Sequence, residues 1–249
     1  MTDLDATSLA RDTKPGPARK REEAPGDFSE GLVALRYPAS VAAEAYRTLR
    51  TNLLYALVDD PPKVIAVTSP GPREGKSMTC ANLGVVLAQA EKRTLILDCD
   101  LRRPTMHGIF GLRNFRGLVD VVAGGMEPRK AWREPLYGLK VMTAGPIPPN
   151  PAELLGSRRF AEFLSGVREE FDYVLLDAAP TELVSDPVIL ATQADGVLLV
   201  VNAQSTRKGS VRSSIRSLEA VEAKVLGTVM NSVRSSRNGY YGHAGYTYE

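Results

Sequence analysis

The feature that most restricts the fold is a ten-residue loop, T-S-P-G-P-R-E-G-K-S (residues 68–77), set between two stretches of opposite character. Before it stands the apolar run Val64-Ile65-Ala66-Val67. After it, residues 77–91 contain no proline and read as a helix. Strand, glycine-containing loop, Lys-Ser and helix is the order in which backbone N–H groups and a helix N-terminus cradle phosphate. In such a loop Lys76 reaches the β- and γ-phosphates of a nucleotide, and the Ser77 hydroxyl ligates Mg²⁺. The loop departs from G-x-x-x-x-G-K-[ST] at one place, where Pro70 replaces the first glycine. A G-K-S triplet also arises by chance, but its place between a buried strand and a helix argues against chance here.

Strands and helices continue to alternate downstream. Runs at 94–97, 140–143, 173–176, 196–201 and 225–230 are nearly all apolar, as expected of parallel strands covered on both faces. Helical stretches fall at 117–123, 157–170, 185–193 and 207–221. This order predicts a doubly wound α/β fold with a mostly parallel sheet. An earlier helix begins after Ser40, with Val41, Ala45, Leu49 and Leu53 at helical spacing, and stops at Asp59-Asp60-Pro61-Pro62. Residues 1–38 hold few large apolar residues and read as a disordered arm; residues 39–233 are the domain. Residues 234–249 read as a flexible tail, with Tyr240, Tyr241, Tyr246 and Tyr248 among nine tyrosines in the chain.

Composition narrows the class. At 249 residues, 43% hydrophobic and 24% charged, the chain is a soluble globular type. A net charge of +2 makes no case for bulk nucleic-acid binding. Two cysteines, Cys80 and Cys99, exclude a disulfide scaffold, and with two distant histidines they make no zinc site. No apolar run nears the ~18–20 residues that cross a bilayer, and the N-terminus lacks the order of a secretion signal. The basic cluster Arg19-Lys20-Arg21 is followed by Glu22-Glu23 and reads as solvated mixed charge.

Two more strand ends carry chemistry. In L95-I-L-D-C-D-L-R-R-P104, Asp98 and Asp100 stand two apart, so an extended chain points both carboxylates the same way. Paired carboxylates at that edge hold Mg²⁺ or take a proton from an attacking hydroxyl. The bland alternative, an aspartate capping the following turn, accounts for one of the two. In Y173-V-L-L-D-A-A-P180, Asp177 ends an apolar strand as a Walker B aspartate does and supports the metal shell.

With these residues in view, the chain resembles the bacterial tyrosine kinases of capsular and exopolysaccharide biosynthesis, over roughly residues 38–249. These are P-loop proteins of the deviant Walker type, and the chain has no H-R-D-x-x-x-x-N or D-F-G. Their Walker A form S-x-x-P-x-x-G-K-[ST] is matched by Ser69, Pro72, Gly75, Lys76 and Ser77, which accounts for Pro70. Their second motif is matched by L-I-L-D-C-D-L-R-R-P. P149-N-P-A-E-L-L155, S185-D-P and M230-N231 also look like family segments. The resemblance implies ATP contacts from Gly71, Pro72, Gly75, Lys76, Ser77, Met78 and Asn231, the last facing adenine. It implies Mg²⁺ at Ser77, Asp98, Asp100 and Asp177, and catalysis by Lys76, Asp98 and Asp100. Either aspartate serves as the base, with Asp98 preferred. It implies autophosphorylation of Tyr240, Tyr241, Tyr246 and Tyr248 between subunits. E44-A-Y-R-T-L-R50 matches a family ring contact through Glu44, Arg47 and Arg50; the plain alternative is a solvated charge pair on one helix. Implied partners are a transmembrane polysaccharide co-polymerase that activates the kinase, a homo-oligomeric ring when unphosphorylated, and a tyrosine phosphatase, with no nucleic acid. The implied location is cytoplasmic, at the inner face of the membrane through the partner.

Two other readings compete. Partition and division-site ATPases carry a signature lysine five residues before the P-loop lysine, where this chain has Gly71. The other is a nucleotide-gated scaffold with ATP binding as its switch; the intact Lys76, Asp98 and Asp100 count against a dead enzyme. One departure from the kinases is Ala178, where they have Ser or Thr after the Walker B aspartate.

Overall fold

A computed structural model describes residues 27–55 and 61–233. The first ordered pieces are α1 (Val33–Arg36) and α2 (Val41–Tyr55). The Ser40 hydroxyl accepts the Ala43 N–H at 3.1 Å and starts α2 as its side-chain chemistry favours. The expected loose arm fails over residues 27–38. Leu32 and Ala34 are fully buried. Asn82 clasps the segment, accepting the Ala34 N–H and donating to the Gly31 carbonyl, each at 2.9 Å. Few apolar residues suffice there because a neighbouring helix supplies both the polar partners and the cover. The arm before residue 27 and the tail from residue 234, with its four tyrosines, lie outside the described residues.

The core alternates as expected: β1 (Val64–Thr68), α3 (Lys76–Gln89), β2 (Thr94–Asp98), then short helices α4 (Met106–Ile109), α5 (Leu118–Val122) and α6 (Pro128–Ala131). A hairpin of β3 (Trp132–Leu136) and β4 (Leu139–Met142) follows, then α7 (Pro151–Leu155), α8 (Arg158–Glu170), β5 (Tyr173–Asp177), α9 (Asp186–Ala191), β6 (Gly196–Asn202), α10 (Lys208–Glu219) and β7 (Val225–Asn231). The seven strands lie in the order β3-β4-β2-β5-β1-β6-β7. All neighbours are parallel except β3 with β4.

Period-two alternation divides the core. Val64 and Ala66 of β1 face a cluster with Leu118, Phe160, Leu190 and Leu218. Ile65 and Val67 face the other, with Leu32, Leu53, Leu83 and Leu87. Gly84 lets α3 lie close on β2: a Cβ there would stand 2.6 Å from Ile96 Cδ1. Because α3 follows β1, its N-terminus stands at the carboxyl ends of the parallel strands, where an open α/β sheet binds its ligands.

Candidate active site

β2, β5 and β1 are adjacent, and each ends in a polar residue at the same edge: Asp98, Asp177 and Thr68. Asp98 and Asp177 stand directly opposite in register. The loop 69–75 leaves β1 and is tightly self-bonded. The Ser69 hydroxyl donates to the Gly71 carbonyl at 2.7 Å. Gly75 has φ +94°, and a Cβ there would lie 1.9 Å from Asn231 Nδ2, so only glycine fits. Asn231 Nδ2 donates to the Glu74 carbonyl at 3.0 Å, and its Oδ1 accepts the Ser232 N–H at 2.9 Å. The implied adenine residue therefore braces the phosphate loop from β7. Met78 packs on Gly31, at the start of the N-terminal segment.

Glu74 was not singled out by the sequence. It is buried, and its carboxylate accepts the Gly71 N–H (2.8 Å), the Thr206 hydroxyl (2.7 Å) and the Asn202 N–H (3.2 Å). It thus ties the loop to the end of β6. An acidic residue inside a loop meant for phosphate is itself a signal, since its charge has to be spent on something other than the ligand.

Lys76 is the centre of the charge arrangement. Its Nζ lies 2.9 Å from Asp100 Oδ2, 3.4 Å from Asp177 Oδ1 and 3.1 Å from the Ser77 hydroxyl. Burial alone would lower its pKa, but Asp177 and Asp100 outweigh burial and raise it. Lys76 is therefore cationic throughout the physiological range. Asp177 is completely buried, and burial pushes its pKa up against the pull of Lys76 and the Ser77 hydroxyl.

The two aspartates of the second motif part company. β2 ends at Asp98 and the chain turns, so the extended geometry does not persist to Asp100. Asp98 Oδ2 accepts the N–H groups of Thr105 (3.0 Å) and Met106 (2.9 Å), capping α4. Burial first, then the charge of Asp177, pushes its carboxyl up to about 8. Asp100 reaches Lys76 with one oxygen and accepts the Arg103 N–H at 3.1 Å with the other. Capping thus accounts for one oxygen of Asp98 and leaves Asp98 Oδ1, like Asp177 Oδ2, buried without a partner among the described residues. Two orphaned carboxylate oxygens beside a hydroxyl suit a hard cation or a transferable proton. No three His, Cys, Asp or Glu side chains among the described residues form a metal cage of their own. Mg²⁺ does not require such a cage, because it keeps waters and substrate phosphates among its ligands.

Around this centre, Arg102 grips the fully buried Asp186 with two bonds, 2.8 and 3.1 Å, joining the second motif to S185-D-P. Ala178 is fully buried in the apolar core of its face. On α2, Arg47 pairs with Glu44 at 2.8 Å and donates to the Pro38 carbonyl, while Arg50 donates to the Val86 carbonyl at 3.1 Å. Within one chain, then, these three residues find their partners on α2, just before it and on α3. No helix among the described residues is long and apolar enough to cross a membrane.

Comparison with known proteins bears on this site. Residues 65–246 match the family model "CobQ/CobB/MinD/ParA nucleotide binding domain". The chain is 40% identical to the tyrosine-protein kinase YwqD of Bacillus subtilis over 220 residues, covering 88% of this chain and 92% of that protein. It is 33% identical to the tyrosine-protein kinase Wzc of Salmonella typhimurium over 219 residues, but spans only 30% of that longer protein. The solved kinase domain of the Escherichia coli tyrosine kinase ETK superposes with a TM-score of 0.79 at 32% identity, covering 85% of this chain and 84% of that one.

Proposed function

Since the chain belongs to the bacterial protein-tyrosine kinases, within the CobQ/CobB/MinD/ParA nucleotide-binding family, we propose that this kinase transfers the γ-phosphoryl group of ATP to Tyr240, Tyr241, Tyr246 and Tyr248 of a neighbouring copy. The observation that carries the reading is Lys76, held at the mouth of the phosphate loop between Asp100 and Asp177. Its charge is permanent and its present partners are carboxylates, so it is ready to exchange them for the β- and γ-phosphates.

Phosphoryl transfer needs positioning and charge neutralisation more than covalent help from the protein. Mg²⁺, when bound, would supply positive charge that offsets the charge developing on the leaving group. The residues that would hold it are Ser77, Asp177 and one aspartate of the second motif. Backbone N–H groups of residues 71–77 would orient the phosphates. Asp98 Oδ1 is the oxygen we assign to receive the tyrosine proton. It can do so near neutral pH once an added cation offsets the burial and the Asp177 charge that keep its carboxyl protonated. Asp100, freed as Lys76 turns to the phosphates, is then the aspartate of the second motif left for the metal.

The setting we propose is regulation of capsule or exopolysaccharide synthesis at the inner face of the membrane. There the kinase is activated by the cytoplasmic segment of a membrane-spanning co-polymerase and opposed by a phosphatase. It assembles as a ring through Glu44, Arg47 and Arg50. The Arg102–Asp186 clamp is a place where an activator can order the Asp100 turn and so raise the competent fraction. The test is nucleotide titration and phosphotyrosine detection on Lys76→Met. Loss of both is expected, with a lowered but still cooperative thermal transition because Asp100 and Asp177 lose their buried partner; undiminished phosphotyrosine would rule out this site.

A further inference from the structure

The net charge of +2 hides an uneven distribution. Residues 203–237 carry seven cations against two carboxylates, a local charge of +5 that leaves −3 for the rest of the chain. Within that stretch, Lys208, Arg212 and Arg216 of α10 recur at i, i+4 and i+8. They form one row about 12 Å long, with Arg207 at its head. All four are exposed, and none pairs with a carboxylate among the described residues. Elsewhere, exposed Arg129 and Arg158 each hold a glutamate. The packed side of α10 is the other one, with Ser214 and Leu218 buried.

Helix stability accounts for Arg216, in the last turn, but not for the head of the row. Arg207 and Lys208 stand at the N-terminus of α10, where the helix dipole disfavours cations, and no side chain caps that end. Beside the head of the row the surface turns apolar. Met230 and Val233, at the end of β7, are 62% and 65% exposed. The loop before α10 is stitched to the two residues between them: the Ala203 N–H donates to the Asn231 carbonyl (2.9 Å) and Gln204 Nε2 to the Ser232 carbonyl (2.6 Å).

We infer that this face docks on the anionic headgroups of a lipid bilayer, and that phosphorylation of the adjoining tail releases it. Charge complementarity selects an anionic partner. The aliphatic pair next to the cations selects a membrane over a nucleic acid, because Met and Val can enter the headgroup boundary but find nothing on a phosphate backbone. The first tail tyrosine, Tyr240, comes seven residues after Val233. Each phosphate adds about −1.5 to −2, so four would turn the local +5 into about −1 to −3. A basic surface discharged by phosphorylation is an electrostatic switch. The docking half stands without any kinase activity; the release half rests on the function proposed above.

The experiment is co-sedimentation of the full chain, as the unphosphorylated Lys76→Met protein, with vesicles of phosphatidylcholine alone or with about one-third phosphatidylglycerol. Each basic residue at an anionic surface contributes roughly fivefold to partitioning. Arg212→Glu with Arg216→Glu is therefore expected to lower binding to the anionic vesicles at least ~25-fold, and the Gln pair by an intermediate factor, with thermal transitions unchanged. Equal binding to both vesicle types, or binding untouched by both pairs, overturns the inference. So does a duplex DNA fragment that competes the protein off the vesicles and loses affinity in the same variants. Tyr240→Glu, Tyr241→Glu, Tyr246→Glu and Tyr248→Glu together test release without phosphorylation. A drop of about tenfold or more is expected; unchanged partitioning refutes the switch and leaves the kinase assignment standing.

Discussion

Replacing Asp98 by Asn should make the protein more stable and less active. Asp98 is completely buried; one oxygen accepts two N–H groups and the other has no partner among the described residues. Its carboxyl is pushed from 3.8 to about 8, by burial and then by Asp177. Between those values the folded protein keeps a proton that the unfolded chain gives up, so stability falls as pH rises through the window. One such group contributes a slope of about 1.4 kcal/mol per pH unit. From pH 5 to 7 the metal-free protein therefore loses about 3 kcal/mol through Asp98, or about 6–12 °C in Tm for a domain of this size. Asp177 shifts in the same direction and adds to the loss. Glu134 and Asp172 are lowered, so their contributions vanish only as pH falls below their ordinary values of 4.5 and 3.8. Lys76 is raised, so its contribution is lost only above 10.5. The amide introduced by Asp98→Asn keeps an acceptor for both N–H groups and cannot ionise. Calorimetry in chelator at pH 5, 6 and 7 should give a flatter Tm profile for Asp98→Asn and a higher Tm at pH 7. Labelled ATP should show phosphoryl transfer down by about 10²–10⁴. Parallel Tm profiles for the two proteins would refute the reasoning.

Gly75→Ala has to relieve both a positive φ and a 1.9 Å approach to Asn231, so nucleotide titration should show no binding, with a stability loss of at least about 2 kcal/mol. Arg102→Ala strips the fully buried Asp186 of its partner; chemical denaturation should show a loss of about 1–3 kcal/mol, largely recovered when Asp186→Asn is added. Glu44→Ala with Arg47→Ala removes a surface pair within one helix and should change stability by no more than about 0.5 kcal/mol. Light scattering should nevertheless find monomers where the parent forms a ring; an unchanged particle size would dismiss α2 as the contact.

Much of the fold was legible because its inner strands are buried on both faces. All six expected strand runs are strands, and the G-K-S loop lies between β1 and α3 as read. β3 was missed because its residues, W-R-E-P-L, form a half-exposed edge with a proline and charges, a pattern that resembles a turn. α1 was missed because its cover comes from α3, a contact no local pattern announces. At the site, strand-end aspartates were visible as types but their division of labour was not. Asp100 faces Lys76 because β2 stops at Asp98 and the chain turns there, and that stop has no marker in the run L-I-L-D-C-D. Glu74 was overlooked because its partners, Asn202 and Thr206, lie more than 120 positions away and come near only in the folded sheet.

The central claim, transfer from this phosphate loop to another copy's tail, is tested most directly by mixing two proteins that are silent apart. One carries Lys76→Met and an intact tail; the other keeps Lys76 and has Phe at positions 240, 241, 246 and 248. With ATP and Mg²⁺, peptide mass spectrometry should find phosphate on the tail of the Lys76→Met chain in the mixture and almost none in either protein alone. Phosphate on Lys76→Met by itself, or a mixture that hydrolyses ATP and leaves every tail tyrosine bare, would contradict the account.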